Sequence, residues 1–220
     1  MNQPKQMKRI YFTDFDGTIT KKDTTDALVK AFARNGWQEI LQQWENGSLS
    51  TEQCARLIFA RLKVSPDEAE RFLRTIPFDE TFRDFVAYVE ARKEKIYILS
   101  DGFDFNIQTV MQKAGITHLP TYVNHLLIKD NHTYDLTCPY SSACGKCGTC
   151  KKTLVEKLKK EAAPAQAVYI GDGISDRCGC QAADLIFAKG RLLQYCLEKQ
   201  IPALPFRTFY DIKNHLEKSI

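Results

Sequence analysis

The sequence predicts an α/β protein with a parallel sheet, and three observations support this fold class. Apolar runs that end in polar or glycine-containing segments occur at 8–14, 95–100 and 166–171. The stretches between these runs place apolar residues three and four positions apart, as amphipathic helices do. Strands that alternate with helices are typical of parallel sheets, because the crossover between two parallel strands is usually helical.

The other elements of the core follow the same reasoning. Further strands are predicted near 119–125 and at 184–188. The apolar residues 126–128 and the segment 133–137 are predicted to pair as a small β-hairpin. A core helix is predicted from four apolar residues that share one face: Phe82, Phe85, Val86 and Val89.

The segment 20–77 has a helical rhythm and few strand signals. It contains three helix-start signals: Thr24 or Thr25 as a cap, the capping box of Ser50 and Gln53, and Ser65 before Pro66. We therefore expect a small all-helical cap domain at 20–77, inserted after the first strand. The core domain is expected to comprise 1–19 and 78–220.

Length and charge narrow the class of protein. A chain of 220 residues suits one α/β core with a small insertion. The net charge of +4 is modest and the basic residues form no run, so no nucleic-acid partner is expected. The stretch from Lys5 to Arg9 leads into a short apolar run, a pattern typical of neither a signal peptide nor a membrane span. We expect a soluble cytoplasmic protein without a membrane partner, as a monomer or a homodimer.

Two carboxylates, Asp14 and Asp16, stand at the end of the first predicted strand. Burying unpaired carboxylates is costly, so such a pair usually serves a cation, a phosphate or a reaction. Side chains two apart on a strand point the same way, and Gly17 allows a sharp turn after them. Open α/β sheets bind ligands at this end of their strands. The alternative is a plain exit into a turn, where Asp is common.

Three more polar segments follow in order. Ser-Asp-Gly at 100–102 ends the second strand, and Gly-Asp at 171–172 ends a later strand, with Asp176 four residues further on. Lys151 and Lys152 open an amphipathic helix. Together with the Asp pair, this ordered set resembles the four motifs of the haloacid dehalogenase (HAD) superfamily of phosphotransferases, over nearly the whole chain.

The resemblance implies both a fold and a reaction. The fold would be a three-layer, Rossmann-like sandwich with strand order 3-2-1-4-5, in which the first strand is central. The reaction would be Mg²⁺-dependent hydrolysis of a small phosphorylated metabolite through an aspartyl-phosphate. The helical cap would then be a lid that excludes water and reads the leaving group of the substrate.

The chemistry assigns roles to the acidic residues. Asp14 is the candidate nucleophile, and Asp16 is the candidate general acid that later activates water. Mg²⁺ would be held by Asp14, the backbone carbonyl of Asp16 and Asp172. Asp176 is expected to hold a metal-bound water or to orient Lys151.

The phosphoryl oxygens need donors and a positive charge. Ser100 and the amides after it would hold these oxygens, and Lys151 would neutralise them. Lys152 is the alternative, but the family spacing to Leu154 and Val155 favours Lys151. Five more residues complete the predicted phosphate- and substrate-binding set: Gly17, Thr18, Asp101, Gly102 and Asp23.

Asp23 has two interpretations. Phosphoserine phosphatases carry, at the corresponding distance from the nucleophile, a Glu that meets the amino group of the substrate. Asp23 is one methylene shorter, which argues against phosphoserine as the substrate. The other interpretation is a carboxylate that stabilises a helix start.

A second unusual feature is a segment with four cysteines just before Lys151: Cys138, Cys144, Cys147 and Cys150. Two overlapping Cys-x-x-Cys spacings are compatible with a structural Zn²⁺, although zinc sites usually show two separated pairs. Reduced or redox-active thiols are the second interpretation, and disulfides or a cluster are the third. Cys54 and Cys196 are expected to be core residues.

The cysteine segment narrows the resemblance to the methionine-salvage phosphatases that act on 2-hydroxy-3-keto-5-methylthiopentenyl-1-phosphate. The residues 104–105 and the tail around 204–205 and 209–212 fit the same branch. Phosphocholine/phosphoethanolamine phosphatases also carry a cysteine-bearing segment, and Asp101 departs from the salvage pattern. Phosphoserine phosphatase is a third option. A phosphomutase, or a thiol- or metal-binding module with a vestigial site, would be a different class of protein.

Overall fold

A computed structural model describes residues 8–130, 133–142 and 145–218. Strands and helices follow one another in this order: β1 (Arg9–Thr13), α1 (Thr24–Phe32), α2 (Trp37–Glu45), α3 (Thr51–Phe59), α4 (Pro66–Leu73), α5 (Thr81–Ala91), β2 (Lys95–Phe103), α6 (Asp104–Lys113), β3 (Thr121–Asp130), β4 (Thr133–Thr137), α7 (Lys151–Glu161), β5 (Gln166–Gly171), α8 (Asp176–Cys180), β6 (Leu185–Ala188), α9 (Gly190–Glu198), β7 (Leu204–Pro205) and α10 (Phe209–Lys218).

The chain forms two compact units. The first contains the residues up to Ile19, Asp79–Leu99 and the residues from Lys151 onward. The second contains Thr20–Phe78 and Ser100–Cys150. The segment predicted as a cap therefore shares its unit with the end of β2, α6, the hairpin and the cysteine segment.

Parallel pairing dominates the sheet. β1 pairs in parallel with both β2 and β5, so that Tyr11 lies opposite Ile96 on one side and Val168 on the other. β6 and β7 extend the sheet beyond β5, again in parallel. The strand order is β4-β3-β2-β1-β5-β6-β7. The predicted α/β class and the predicted order of the five core strands are confirmed.

The central strands of the first unit are buried on both faces. Ile10, Tyr11 and Phe12 of β1 are inaccessible to solvent, as are the apolar residues of β5. Strands covered on both faces read as continuous apolar runs, which is why the sequence signal at 8–14 and 166–171 is strong. The ring of Tyr11 packs edge-on against Phe85 of α5, 5.4 Å between centroids. The four predicted stripe residues of α5 are all buried.

The second unit corrects the prediction for 119–128. The strand near 119–125 and the first arm of the hairpin are one continuous strand, β3, which pairs antiparallel with β4. Leu126 lies opposite Leu136, and Leu127 opposite Asp135. No glycine or proline interrupts β3, so nothing in its backbone separates two strands there.

The helix caps are partly as predicted. Ser50 and Gln53 form the capping box of α3, and Ser65 caps α4 in front of Pro66. The cap of α1 is Asp23 instead of Thr24 or Thr25, because Asp23 Oδ1 accepts the N–H of Asp26 at 2.8 Å. No helix in the described part of the chain is long and apolar enough to cross a membrane.

Candidate active site

The first unit carries a sharp turn directly after β1. The strand ends at Thr13, and the backbone carbonyl of Phe15 accepts the N–H groups of Thr18 and Ile19. Asp16 lies in this turn and is partly exposed. The expectation that Asp14 and Asp16 point the same way as strand neighbours does not apply, because both follow the end of the strand.

Gly17 is required at this turn for two reasons. Its φ of +76° is in the left-handed region that side chains disfavour. A Cβ atom at this position would also overlap the carboxylate of Asp172. The backbone of the turn therefore passes directly against Asp172, which limits position 17 to glycine.

Three carboxylates converge beside this turn. Asp14, Asp172 and Asp176 each offer an oxygen within 4.8 Å of the others, and together they could hold a metal ion. Thr18 Oγ1 donates to Asp172 Oδ1 at 2.6 Å. Thr18 is fully buried and its hydroxyl contacts Asp172, while its predicted phosphate-binding role stays a prediction.

Lys151 completes the cluster. The residue is only 2 % exposed, and its Nζ lies 2.8 Å from Asp14 Oδ1 and 2.6 Å from Asp176 Oδ1. Lys152 points to solvent, where its Nζ is 3.9 Å from Glu156. Of the two candidate lysines, Lys151 is the one that lies among the carboxylates.

Asp176 is held by four hydrogen bonds. Its Oδ1 accepts Lys151 and the hydroxyl of Tyr169 at 2.7 Å. Its Oδ2 accepts the backbone N–H groups of Asp172 and Gly173 at 3.0 and 2.9 Å. Because both oxygens are already occupied by donors, Asp176 is better suited to fixing Lys151 than to binding a metal ion directly.

The electrostatics of the cluster favour a cation. With all three carboxylates ionised, the one ammonium of Lys151 leaves an excess of two negative charges in a mostly buried place. Burial raises the pKa of Asp14 well above its usual range, the Asp176 carboxylate raises this pKa further, and Lys151 opposes both effects. Burial also raises the pKa of Asp172. Hard carboxylate oxygens around an excess of negative charge fit a divalent cation such as Mg²⁺.

The predicted phosphate-loop residues belong to the second unit. Ser100 is buried, and its Oγ accepts the N–H of Gly102 at 3.0 Å. Asp101 Oδ1 accepts the N–H of Thr149 at 2.6 Å. The carboxylate of Asp23 has the helix-capping contact, which is the plainer of its two interpretations.

The cysteines lend no support to a zinc ion. Cys138, Cys147 and Cys150 do not form a metal-ligand group among the described residues, and Cys144 lies outside them. Burial raises the pKa of the Cys138 thiol to about 11. Cys54 and Cys196 are buried core residues, as predicted.

Two residues near the cluster were not predicted. Tyr169 on β5 reaches Asp176 through its hydroxyl, and burial raises the pKa of Tyr169 well above its usual range. Lys189 follows β6, and its Nζ donates to the carbonyl of Thr18 at 3.3 Å. The available signal for Lys189 was its place directly after a strand, at the same end as Asp172.

Comparison with known proteins identifies the family. A sequence model of the Putative Phosphatase family matches residues 9–206. The chain belongs to this family. Curated relatives from Geobacillus thermodenitrificans and Brevibacillus brevis are 32 % and 28 % identical, over 95 % and 96 % of this chain and 96 % of each relative. Both are named 2-hydroxy-3-keto-5-methylthiopentenyl-1-phosphate phosphatase.

Solved structures agree on the fold. A phosphoserine phosphatase structure described as a phospho-aspartyl intermediate analogue has a TM-score of 0.70 and 21 % identity, covering 96 % of this chain and 99 % of its own. A substrate-bound phosphoserine phosphatase has a TM-score of 0.71 with 20 % identity and the same coverage. These structures confirm the predicted fold. The family model and the curated relatives confirm the predicted phosphomonoester hydrolase.

Proposed function

We propose that the chain hydrolyses small phosphomonoesters through an aspartyl-phosphate formed on Asp14, with Mg²⁺ as cofactor. The observation that carries the proposal is the buried cluster in which Lys151 contacts both Asp14 and Asp176. A lysine and carboxylates at the carboxyl ends of parallel strands suit phosphoryl transfer, which depends on positioning and on neutralising charge.

Asp14 is proposed as the nucleophile. Its Oδ1 already accepts the N–H of Phe15 at 2.7 Å and contacts Lys151 at 2.8 Å. These contacts hold the carboxylate through Oδ1, so Oδ2 is the oxygen proposed to attack phosphorus. The phosphorus–oxygen bond to the leaving alcohol breaks, and Asp14 carries the phosphoryl group until water releases it as phosphate.

Asp16 is proposed as the general acid and base. It lies two residues from Asp14 in the turn and keeps partial access to solvent. A carboxyl group here would give a proton to the leaving oxygen and later take one from the attacking water. The phosphate-binding role of Ser100 and Gly102 stays a prediction, whereas the carboxylate of Asp101 accepts the N–H of Thr149.

Asp14, Asp172 and the backbone carbonyl of Asp16 are the proposed protein ligands of Mg²⁺. The bound ion would neutralise the repulsion between a carboxylate nucleophile and a phosphate dianion. Two neighbouring residues support this set of ligands. Thr18 holds Asp172 by a hydrogen bond, and Gly17 lets the backbone of the turn approach Asp172 closely.

The proposed substrate is the enol-phosphate that names the curated relatives, 2-hydroxy-3-keto-5-methylthiopentenyl-1-phosphate. Near 30 % identity over almost the full length of both chains supports it. Phosphocholine, phosphoethanolamine and phosphoserine are the alternatives. The capping contact of Asp23 argues against Asp23 as the group that binds a cationic head group.

The helices of 20–77 are proposed as a lid over the active site. A cytoplasmic location and a monomeric or homodimeric state stay predictions.

A substrate panel tests the proposal. Phosphate release is measured for the enol-phosphate, phosphocholine, phosphoethanolamine and phosphoserine, with Mg²⁺ and with EDTA. The substrates are compared by kcat/KM, because this quantity measures how well an enzyme discriminates between competing substrates. The highest kcat/KM is expected for the enol-phosphate. A much higher kcat/KM for phosphocholine would refute the salvage assignment but not the phosphatase, whereas full activity in EDTA would refute the metal site.

A further inference from the structure

A closed ring of hydrogen bonds joins the end of β2 to the cysteine segment within the second unit. Asp101 Oδ1 accepts the backbone N–H of Thr149 at 2.6 Å. Thr149 Oγ1 donates to Asn124 Oδ1 at 3.3 Å, and Asn124 Nδ2 donates to the carbonyl of Asp101 at 2.7 Å. Three residues from distant parts of the sequence therefore fix one another.

The ring is tightly packed, and two of its three members are buried. Asn124 and Thr149 are each 1 % exposed. A Cβ atom on Gly148 would lie 2.6 Å from Asn124 Nδ2, so a larger residue there would push the Asn124 amide out of place. Polar groups buried this deeply are costly to leave unpaired, which makes the ring sensitive to the loss of one member.

The position of the ring along the chain connects it to the active site. Asp101 directly follows Ser100, and Thr149 stands two residues before Lys151, where α7 begins. The ring therefore fixes the backbone that leads into Lys151. The Nζ of that lysine lies 2.8 Å from Asp14, where small displacements matter for reaction.

We propose that Asp101 is a positioning residue that sets Lys151 through its hydrogen bond to the N–H of Thr149. The inference rests on the proposed function of Lys151. It gives Asp101 a task that needs a hydrogen-bond acceptor and not a negative charge. It also gives the segment before Lys151 a structural purpose that does not depend on a metal ion.

The difference between an acceptor and a charge defines the first experiment. Asp101→Asn keeps an oxygen that can accept the N–H of Thr149, whereas Asp101→Ala removes it. With p-nitrophenyl phosphate, whose good leaving group keeps slow variants measurable, Asp101→Asn should stay within about threefold of the wild-type kcat. Asp101→Ala should lose about 10- to 100-fold in kcat with a smaller change in KM. Asp135→Ala is the control, because Asp135 also accepts a backbone N–H, from Leu136, but at a partly exposed position on β4.

A second experiment asks whether Asp101 acts through Lys151. If it does, Asp101→Ala should add little to the loss already caused by Lys151→Met. Once the ammonium of residue 151 is absent, its exact position no longer affects kcat. Gly148→Ala disturbs the same ring without changing Asp101, because the new Cβ atom would displace the Asn124 amide. It should lower kcat in the same way, and the thermal midpoint of each variant shows whether the fold is retained.

The outcomes separate this inference from the proposed function. Equal losses in Asp101→Asn and Asp101→Ala would show that charge is needed and would overturn the inference. An unaffected kcat in Asp101→Ala and Gly148→Ala, or losses that multiply with that of Lys151→Met, would overturn it as well. In each of these cases the activity of the wild-type protein would still support the proposed phosphatase function. A wild-type protein that releases no phosphate from any phosphomonoester would overturn both the proposed function and the inference about Asp101.

Discussion

Replacing Gly17 with alanine tests how closely the turn after β1 must approach Asp172. Two costs are expected. A side chain at a φ of +76° costs about 1–2 kcal/mol. The new Cβ would also overlap the Asp172 carboxylate, which must move and lose its 2.6 Å hydrogen bond from Thr18. A hydrogen bond to a charged group contributes about 1.5–3 kcal/mol. The total loss of folding free energy should be about 2.5–5 kcal/mol.

Gly115 is the matched control for this substitution. Its φ is +71°, and a Cβ atom there would meet nothing within 4 Å. Gly115→Ala should therefore show the backbone cost alone, about 1–2 kcal/mol. Urea unfolding measures both variants, and the Mg²⁺ concentration for half-maximal activity should rise for Gly17→Ala only. Equal destabilisation of the two variants, with no change in Mg²⁺ dependence, would refute the close approach of Gly17 to Asp172.

Three further predictions concern the same cluster. Lys151→Met should reduce kcat at least 100-fold, while Lys152→Met, on the exposed side of α7, should stay near wild type; equal effects would contradict the assignment of the lysine. Ca²⁺ should inhibit in competition with Mg²⁺, because its larger coordination shell lets a carboxylate bind through both oxygens; steady-state rates with mixed ions measure this, and full activity with Ca²⁺ alone would count against it. Tyr169→Phe should cost about 1–3 kcal/mol in urea unfolding, because it removes the hydroxyl that donates to buried Asp176, and an unchanged midpoint would show that this hydrogen bond contributes nothing.

The fold could be predicted from the sequence where burial makes the pattern simple. β1 and β5 are buried on both faces, so their apolar runs are unmistakable. β3 is harder to predict, because its two buried residues lie in its first half and four exposed residues end its second half. The change in pattern within one strand looked like two elements. The sequence alone does not place the cap of α1, because Asp23, Thr24 and Thr25 stand side by side and each can cap a helix.

The sequence also predicts only part of the candidate site. Asp14, Asp172 and Lys151 could be found because each stands at the end of a strand or the start of a helix, next to an apolar run. The contacts of Thr18 and Asp101 could not be found, because each hydroxyl or carboxylate had several partners of suitable chemistry. Only the folded backbone decides that Thr18 donates to Asp172 and that Asp101 accepts from Thr149.

The central claim is that Asp14 carries the phosphoryl group, and trapping this intermediate tests it most directly. Asp16→Asn enzyme is mixed with p-nitrophenyl phosphate and Mg²⁺, quenched in acid within milliseconds to seconds, digested and analysed by mass spectrometry. Because the variant lacks the base that activates water, the phosphoryl group should accumulate on the peptide that contains Asp14, and Asp14→Asn should abolish both labelling and turnover. Turnover by correctly folded Asp14→Asn, or a phosphoryl group on a different residue, would contradict the account.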